Sequence, residues 1–374
     1  MTSRAASRWA AVAAATALWI VPLPIHRVAA LAVLVLLCAG LLGRPGRRAW
    51  SLAGMGAAFA TMNVGHGFIR RLLRPQYLWV AYPGTERDKR HYFPKWVERL
   101  VRPLYSLGLM RFGRYWGLMV AGKATAESLD GSPERLRQML DEARDAYPGV
   151  QVIALAGRLP SMAIKAGIPL ETPFTTGDKG TLCTMMMTAR EQASLLGKAP
   201  HETVIAVVGG AGFVGRRLTA ELGHEFHRVI CLDPRFTEQE TRANVLYTGA
   251  PADISSAEAV LVLTSRGDQA ESVIPFLTPG TVVADDTHPE ISGRVRSGME
   301  SSGAQVFKAT MGDARFRIMP RVPFFRADDI PGCVLEALVV LERGRGVLSS
   351  QATFNAAASG LGFGARLARH MSSV

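Results

Sequence analysis

Residues 203–222 read Thr-Val-Ile-Ala-Val-Val-Gly-Gly-Ala-Gly-Phe-Val-Gly-Arg-Arg-Leu-Thr-Ala-Glu-Leu. The first six form a short β-branched run of the kind that makes a parallel strand buried on both faces. The run passes directly into glycines, and from Arg216 the pattern continues as a helix. Gly210, Gly212 and Gly215 thus spell G-x-G-x-x-G between a strand and a helix. In that setting the first glycine permits a tight turn, and the second lets backbone approach a pyrophosphate. The third allows close packing of helix on strand. The whole loop, Gly210, Ala211, Gly212, Phe213, Val214 and Gly215, is therefore a candidate dinucleotide site.

Working outward, residues 228–232 predict the next strand, ending at Asp233, 23 residues after Gly210. An acidic side chain there accepts hydrogen bonds from the adenosine ribose and repels a 2′-phosphate, which favours NADH over NADPH. Arg235, two residues on, works against that discrimination, so both cofactors stay open. Further strands are predicted at 259–263, 281–284 and 305–307, and the alternation with helices implies a doubly wound parallel sheet. Ligands of such sheets bind beyond the carboxyl ends of the strands. Thr264, Ser265 and residues 285–288 occupy those ends. His288 is a candidate proton donor to a developing alkoxide or thiolate, or else caps a helix beginning near Pro289.

The 374 residues suggest two domains or slightly more, and with 48% apolar and 20% charged residues wholesale disorder is excluded. The formal charge of +12 is unevenly placed: residues 1–123 hold 18 of the 43 Lys and Arg but 3 of the 31 Asp and Glu. No nucleic-acid recognition motif accompanies it, so a lipid surface or an acidic partner is the better match. Residues 9–21 and 28–42 are uncharged apolar runs separated by Pro22, Pro24, His26 and Arg27. Each is shorter than the roughly 20 residues of an upright membrane helix. Arginines at 4 and 8 and at 44, 47 and 48 flank the pair, which by the positive-inside rule reads as a hairpin entering from the cytoplasm. A buried hairpin in a soluble protein is the competing reading. Residues 50–68 carry no Lys, Arg, Asp or Glu, and the basic residues between 70 and 102 interleave with Tyr92, Phe93 and Trp96. The expectation is a membrane-associated chain with its remaining part cytoplasmic. Cys38, Cys183, Cys231 and Cys333 show no ligand spacing, so no metal site and no disulfide framework is expected.

From residue 132 the sequence becomes an ordinary mixture of helix (133–146) and strand (150–156). Residues 175–181 make a polar turn before a Met-, Leu- and Ala-rich helix reaching 196. Thr176 in that turn reads equally as a cofactor contact or as part of a plain helix cap. Near the C-terminus, Asp-Asp-Ile-Pro-Gly-Cys at 328–333 reads as a helix start, with an Asp as N-cap and Pro331 in the first turn. Cys333 then sits where helix N–H groups favour a thiolate, and its pKa is expected to be depressed.

Over residues 120–365 the chain resembles the long-chain acyl-[acyl-carrier-protein] reductases of cyanobacteria. Ile-Ala-Leu-Ala-Gly at 153–157 is similar to that family's Ile-Ser-Ala-Leu-Gly-Gly, and Phe-Thr-Thr-Gly at 174–177 matches its Phe-Thr-Thr-Gly. Val-Val-Gly-Gly-Ala-Gly-Phe-Val-Gly at 207–215 falls on its Val-Val-Gly-Ala-Thr-Gly-Asp-Ile-Gly. Cys-Val-Leu-Glu-Ala-Leu at 333–338 is similar to its Cys-Phe-Ala-Glu-Ala-Met, whose cysteine accepts the acyl group. The chain departs from the pattern at 178–182, at 286–290 and at Asp233-Pro234, where the family has Ala-Arg. The resemblance implies NAD(P)H-dependent reduction of a fatty acyl thioester to an aldehyde through an acylated Cys333. The donor would be acyl-carrier protein or acyl-CoA. An acyl tail needs an apolar tunnel, which residues 182–196 could line, with ordinary core the better reading for any one of their methionines.

The expected organisation is a hydrophobic helical region at 1–75, a mixed α/β acyl-substrate domain at 76–200 and a Rossmann-type domain at 201–315. Helices at 316–374 return to the substrate domain with Cys333. Two other functions stay open: non-covalent NAD(P)-dependent reduction of a carbonyl or imine, and nucleotide sensing at a membrane without catalysis.

Overall fold

The computed structural model describes residues 74–86, 89, 104–288, 290–319 and 326–369. The hydrophobic runs 9–21, 28–42 and 50–68, and most of the basic and aromatic stretch 70–102, lie outside these residues. Among the described residues no helix is long and apolar enough to cross a membrane.

The first sheet begins with β1 (Tyr77–Ala81), β2 (Leu104–Phe112) and β3 (Tyr115–Gly122). β2 and β3 form an antiparallel hairpin in which Phe112 pairs with Tyr115, so Gly113 and Arg114 alone make the turn. Gly113 has φ +53°, as the first central residue of a primed hairpin turn requires. β1 then runs parallel to β3 and to β4 (Val152–Leu155), which pairs with β5 (Phe174–Thr175). Helices α1 (Ala126–Asp130), α2 (Pro133–Asp145) and α3 (Leu159–Lys165) connect these strands. α2 starts at the predicted place, with Ser132 Oγ accepting from Arg135 N–H and Leu136, Met139, Leu140 and Ala143 turned inward.

α4 (Asp178–Leu195) follows and is buried over most of its length, between the two layers. Cys183 packs in the core of the first sheet, while Leu182, Met185, Met186 and Ala189 pack on the second. Gln192 Nε2 donates to the carbonyls of Val260 and Val282, 3.0 and 2.8 Å away.

The second sheet contains β6 (Val204–Val208), β7 (Arg228–Leu232), β8 (Glu240–Arg242), β9 (Val245–Thr248), β10 (Ala259–Val262), β11 (Val282–Asp285) and β12 (Gln305–Gly312). Its parallel strands lie in the order β9-β7-β6-β10-β11-β12, the doubly wound order of dinucleotide-binding sheets, and β8 pairs antiparallel at the edge. The predicted parallel sheet is thus present. Ile205 and Val207 face α4 and α5 (Phe213–Leu222), whereas Ala206 and Val208 face the side covered by α6 (Gly293–Ser301). Burial on both faces explains why these strands read as unbroken apolar runs.

The C-terminal segment divides its strands between the sheets. β13 (Phe316–Met319) pairs with β2, while β14 (Asp329–Ile330) and β15 (Gly364–Arg369) pair antiparallel with β12. Between them α7 (Gly332–Arg343) and α8 (Gln351–Gly360) pack on the face of the first sheet that bears Trp79 and Met110. The helix start differs from expectation. Asp329 belongs to a strand, and Pro331 is itself the N-cap residue of α7.

Candidate active site

The Gly loop turns sharply after β6, and the turn is made by Gly209, with φ +90°, rather than by the predicted Gly210. Gly210 is small for a different reason: a Cβ there would collide with the Cys231 sulfur of β7. A Cβ on Gly215 would lie 2.5 Å from the Gly209 carbonyl oxygen, the close helix-loop packing expected of the third glycine. Gly212 caps α5 without a side chain. Gly209 and residues 212–215 line a cavity of about 1380 Å³, whereas Gly210 and Ala211 do not reach it. A bare helix N-terminus reached over glycine backbone is what a pyrophosphate needs, so these residues fit a dinucleotide.

Asp233 ends β7 at the cavity wall, with its side chain only 4% exposed. Its carboxylate is already occupied. Oδ1 accepts from Arg235 N–H (3.1 Å) and Nε (2.8 Å), and Oδ2 accepts from Arg235 NH2 (2.9 Å) and Ala211 N–H (3.1 Å). Burial raises the Asp233 pKa, but these bonds and the Arg235 charge outweigh it and hold the carboxyl below its ordinary range. Asp233 and Arg235, the residue expected to work against it, therefore form a neutralised pair that exposes a guanidinium. Arg235→Ala should release the carboxylate and shift the ratio of NADH to NADPH affinity toward NADH by about tenfold or more. Fluorescence titration with both cofactors measures it, and an unchanged ratio would remove Arg235 from the discrimination.

Thr264 and Ser265, beyond β10, line the cavity as expected, with their hydroxyls donating to Arg266 O (2.8 Å) and Gln269 Oε1 (3.0 Å). Thr176 also lines it, but its hydroxyl donates to Asp178, which pairs in turn with Arg217 of α5. That chain ties the turn before α4 to the Gly-loop helix. His288 lies exposed at the cavity. It does not cap the following helix, because α6 begins at Gly293 with Ser292 as its N-cap.

Cys333 stands in the first turn of α7 and opens on the cavity, while Cys183 and Cys231 are buried with their thiols pushed up to about 11 by burial. Contrary to expectation the Cys333 thiol is raised as well, to about 12. Burial is the largest cause and the Asp286 carboxylate the next; the Val334 N–H and the Trp79 indole N–H pull the other way. The helix N-terminus is present but loses to desolvation and a nearby negative charge.

Asp286, just beyond β11, is the neighbour that the sequence singled out only as a strand end. Burial pushes its carboxyl up to about 7, Lys308 opposes the rise and Asp285 adds to it. Lys308 Nζ donates to Thr287 O (3.2 Å) and lies 3.7 Å from Glu290. Asp285 is committed to the loop, accepting from Thr287 and Ile291 N–H groups.

Cys333 is held by two crossing helix starts. The Gly177 backbone lies so close that a Cβ there would be 2.7 Å from Cys333 Cβ, and Gly180 and Gly332 press backbone on backbone. Glu336 of α7 locks the crossing: Oε1 accepts from Gly177 N–H (2.9 Å), Oε2 from Lys179 (2.8 Å) and Gly180 (3.0 Å). Beyond Cys333 the cavity continues along an apolar wall. Trp79 pairs with Met119, and Tyr105 with Ala121, so all four share one face of the first sheet, joined by Leu107. Residues 182–196 do not line the cavity, and Leu182, Met185, Met186 and Ala189 are the ordinary core that was the other reading of this stretch. Of α4, only its first turn reaches the cavity, because the rest is consumed in packing against both sheets.

Residues 205–299 match the NAD dependent epimerase/dehydratase family. No curated protein matches the chain. Among solved structures, it is similar to the Staphylococcus aureus NAD-dependent formate dehydrogenase in complex with NAD, at 12% identity over 46% of this chain and 61% of that one, TM-score 0.29. D-2-hydroxyisocaproate dehydrogenase is 14% identical over 61% of this chain and 77% of that one, TM-score 0.29. A D-isomer specific 2-hydroxyacid dehydrogenase from Xanthobacter autotrophicus Py2, in complex with NADPH and MES, is 16% identical over 54% of this chain and 76% of that one, also at 0.29. Overlaps this low carry no argument about substrate, and the chain spans less than two thirds of the formate dehydrogenase.

Proposed function

We propose that the chain is an NAD(P)H-dependent oxidoreductase that reduces a fatty acyl thioester to an aldehyde, with Cys333 carrying the acyl group. The observation that supports it is the place of Cys333, a cysteine at the junction between the Gly-loop arm of the cavity and its apolar arm. Two of the four stretches that carry the family resemblance, 174–177 and 333–338, also meet there, through Glu336 and Gly177.

Gly209, Gly212 and the start of α5 would hold the pyrophosphate, and Asp233 with Arg235 the adenosine ribose. Bound there, a reduced nicotinamide supplies hydride. With its pKa high, the Cys333 thiol needs a base, and Asp286 is the carboxylate whose charge it already feels. The proton passes from Sγ to Asp286 as the Cys333 sulfur bonds to the acyl carbon. The donor's carbon–sulfur bond then breaks, and the leaving thiolate takes the proton from Asp286. After reduction, the carbon–Sγ bond breaks, the aldehyde departs along the apolar arm and Cys333 is reprotonated. Arg158 and Arg296 at the cavity suit a phosphate-bearing donor such as acyl-CoA or acyl-carrier protein.

Incubation with each donor followed by intact-mass measurement tests the reading, since wild-type protein should gain one acyl group. The base role sets the pH profile. The carboxylate form of Asp286 is required, so the acylation rate should climb through pH 7 and level off above it. Asp286→Asn should show no plateau and rise about tenfold per pH unit, following the thiolate fraction. A wild-type rate that also keeps rising above pH 8 would exclude Asp286 as the base.

A second reading has its own observation in its favour. A thiol at about 12 stays protonated, while a carboxyl at about 7 can give a proton. The same cavity would then reduce a carbonyl or imine without a covalent step, and Cys333→Ser would leave that activity largely intact.

A further inference from the structure

We propose that the indole N–H of Trp79 is the hydrogen-bond donor for the negative charge that develops at Cys333, which makes Trp79 a catalytic residue of the reaction proposed above, on whose covalent step this inference rests. Trp79 lies in the middle of β1 and is 7% exposed, with its ring forming part of the cavity wall beside Cys333. Its Nε1 is buried and has no hydrogen-bond partner. The N–H is close enough to Cys333 to draw its thiol pKa down, although no hydrogen bond between them closes. An indole can only donate, and a neutral thiol is a poor acceptor. A buried donor without an acceptor destabilises the resting protein, and a phenylalanine in the same place would not carry that penalty. The arrangement makes sense when the atom in front of the ring becomes an anion, because hydrogen bonds to ionised acceptors are the strong ones.

The proposed reaction produces such an anion twice. Loss of the thiol proton puts charge on Sγ. After the acyl–sulfur bond forms, hydride addition to the acyl carbon moves an electron pair onto the carbonyl oxygen, two bonds from the same sulfur. Collapse returns the pair to carbon, breaks the carbon–sulfur bond and leaves the charge on Sγ again. One fixed donor, assisted by the Val334 N–H, serves all of these states at no reorganisation.

Alkylation of Cys333 by iodoacetamide across pH 6–10, read by peptide mass on the full chain, tests the donor without any substrate or cofactor. Trp79→Phe keeps a smaller aromatic ring and removes the N–H. Because the thiol sits at about 12, above this range, the variant should slow alkylation about tenfold at every pH in it, even though the smaller ring leaves a cavity that lowers the melting temperature. Trp79→His, which restores a ring N–H, should recover part of the rate. Tyr77→Phe is the control. Tyr77 also buries an unpartnered polar atom on β1 but does not line the cavity, so its loss should change nothing. A Trp79→Phe profile equal to wild type, a Tyr77→Phe profile slowed to the same degree, or a Trp79→His profile no faster than that of Trp79→Phe would each overturn the proposal. Failure of the thioester reading appears separately, as the absence of an acyl group on wild-type Cys333 whose alkylation profile still responds to Trp79→Phe.

Discussion

Cys333→Ala is expected to gain no acyl group from any thioester donor and to lose aldehyde formation by roughly a thousandfold or more, the usual scale for deleting a nucleophile. Substitution by alanine leaves the backbone of α7 and the Glu336 contacts in place, so cofactor affinity and thermal stability should stay near those of wild type. Cys183 and Cys231 offer no rescue, since both are buried and their thiols sit at about 11. The measurement is intact mass after incubation with acyl-CoA and with acyl-carrier protein, beside steady-state aldehyde production. Two failures have different meanings. Acylation that persists in Cys333→Ala places the acyl group elsewhere, whereas unimpaired turnover without acylation of either protein selects direct reduction of a carbonyl with Asp286 as acid.

Glu336→Ala is expected to be the most destabilising single change at the site. An α-helix begins with four N–H groups that have no partner within the helix. In α4 the side chain of Glu336, more than 150 residues later in the chain, accepts from Gly177, Lys179 and Gly180. With Glu336 only 1% exposed, little water can replace it. Burial raises the Glu336 pKa and the three N–H groups oppose that rise, a sign that they are its principal compensation. Removal leaves buried donors unsatisfied at a cost of about 3 kcal/mol or more, a fall of about 10 °C in melting temperature for a chain of this size. Glu336→Gln keeps one carbonyl oxygen but turns an NH2 toward N–H groups, so most of the loss should remain. Because Gly177 lies against Cys333, the same variants should alter Cys333 alkylation. A melting temperature within a degree or two of wild type would mean that the crossing of α4 and α7 does not depend on this carboxyl.

The cofactor half was legible because its signals are local. Val204–Val208 and Arg228–Leu232 are parallel strands buried on both faces, so each shows as an unbroken apolar run, and the glycines fall between strand and helix. Of the first sheet only β4 was read, as the strand predicted at 150–156, although a cue to the hairpin was available. Phe-Gly-Arg-Tyr at 112–115 places a two-residue turn between apolar runs, but Arg114 counts among the basic residues of 1–123 that were read as matching a lipid surface or an acidic partner. The site followed the same division. The Gly loop and Cys333 could be named from neighbours in sequence, whereas the pKa of Cys333 could not. Its two largest causes are burial and Asp286 beyond the end of β11, neither of which leaves a mark near residue 333. Asp233 was read by its position at the end of the second strand, and Arg235, already named as its opponent, is seen to fold back onto it only in three dimensions.

The helix α4 has a consequence for how this protein can be divided. It covers Ile205, Val207, Leu261 and Ala284 on one side and lends Cys183 to the other core. A fragment beginning at residue 201 would carry every strand of the parallel sheet and leave those side chains bare to water. The nucleotide half is therefore not an exchangeable module. Grafting it onto another substrate domain would require a replacement for a helix that precedes it in the chain, and any lineage that recombined the two halves had to inherit that helix with both.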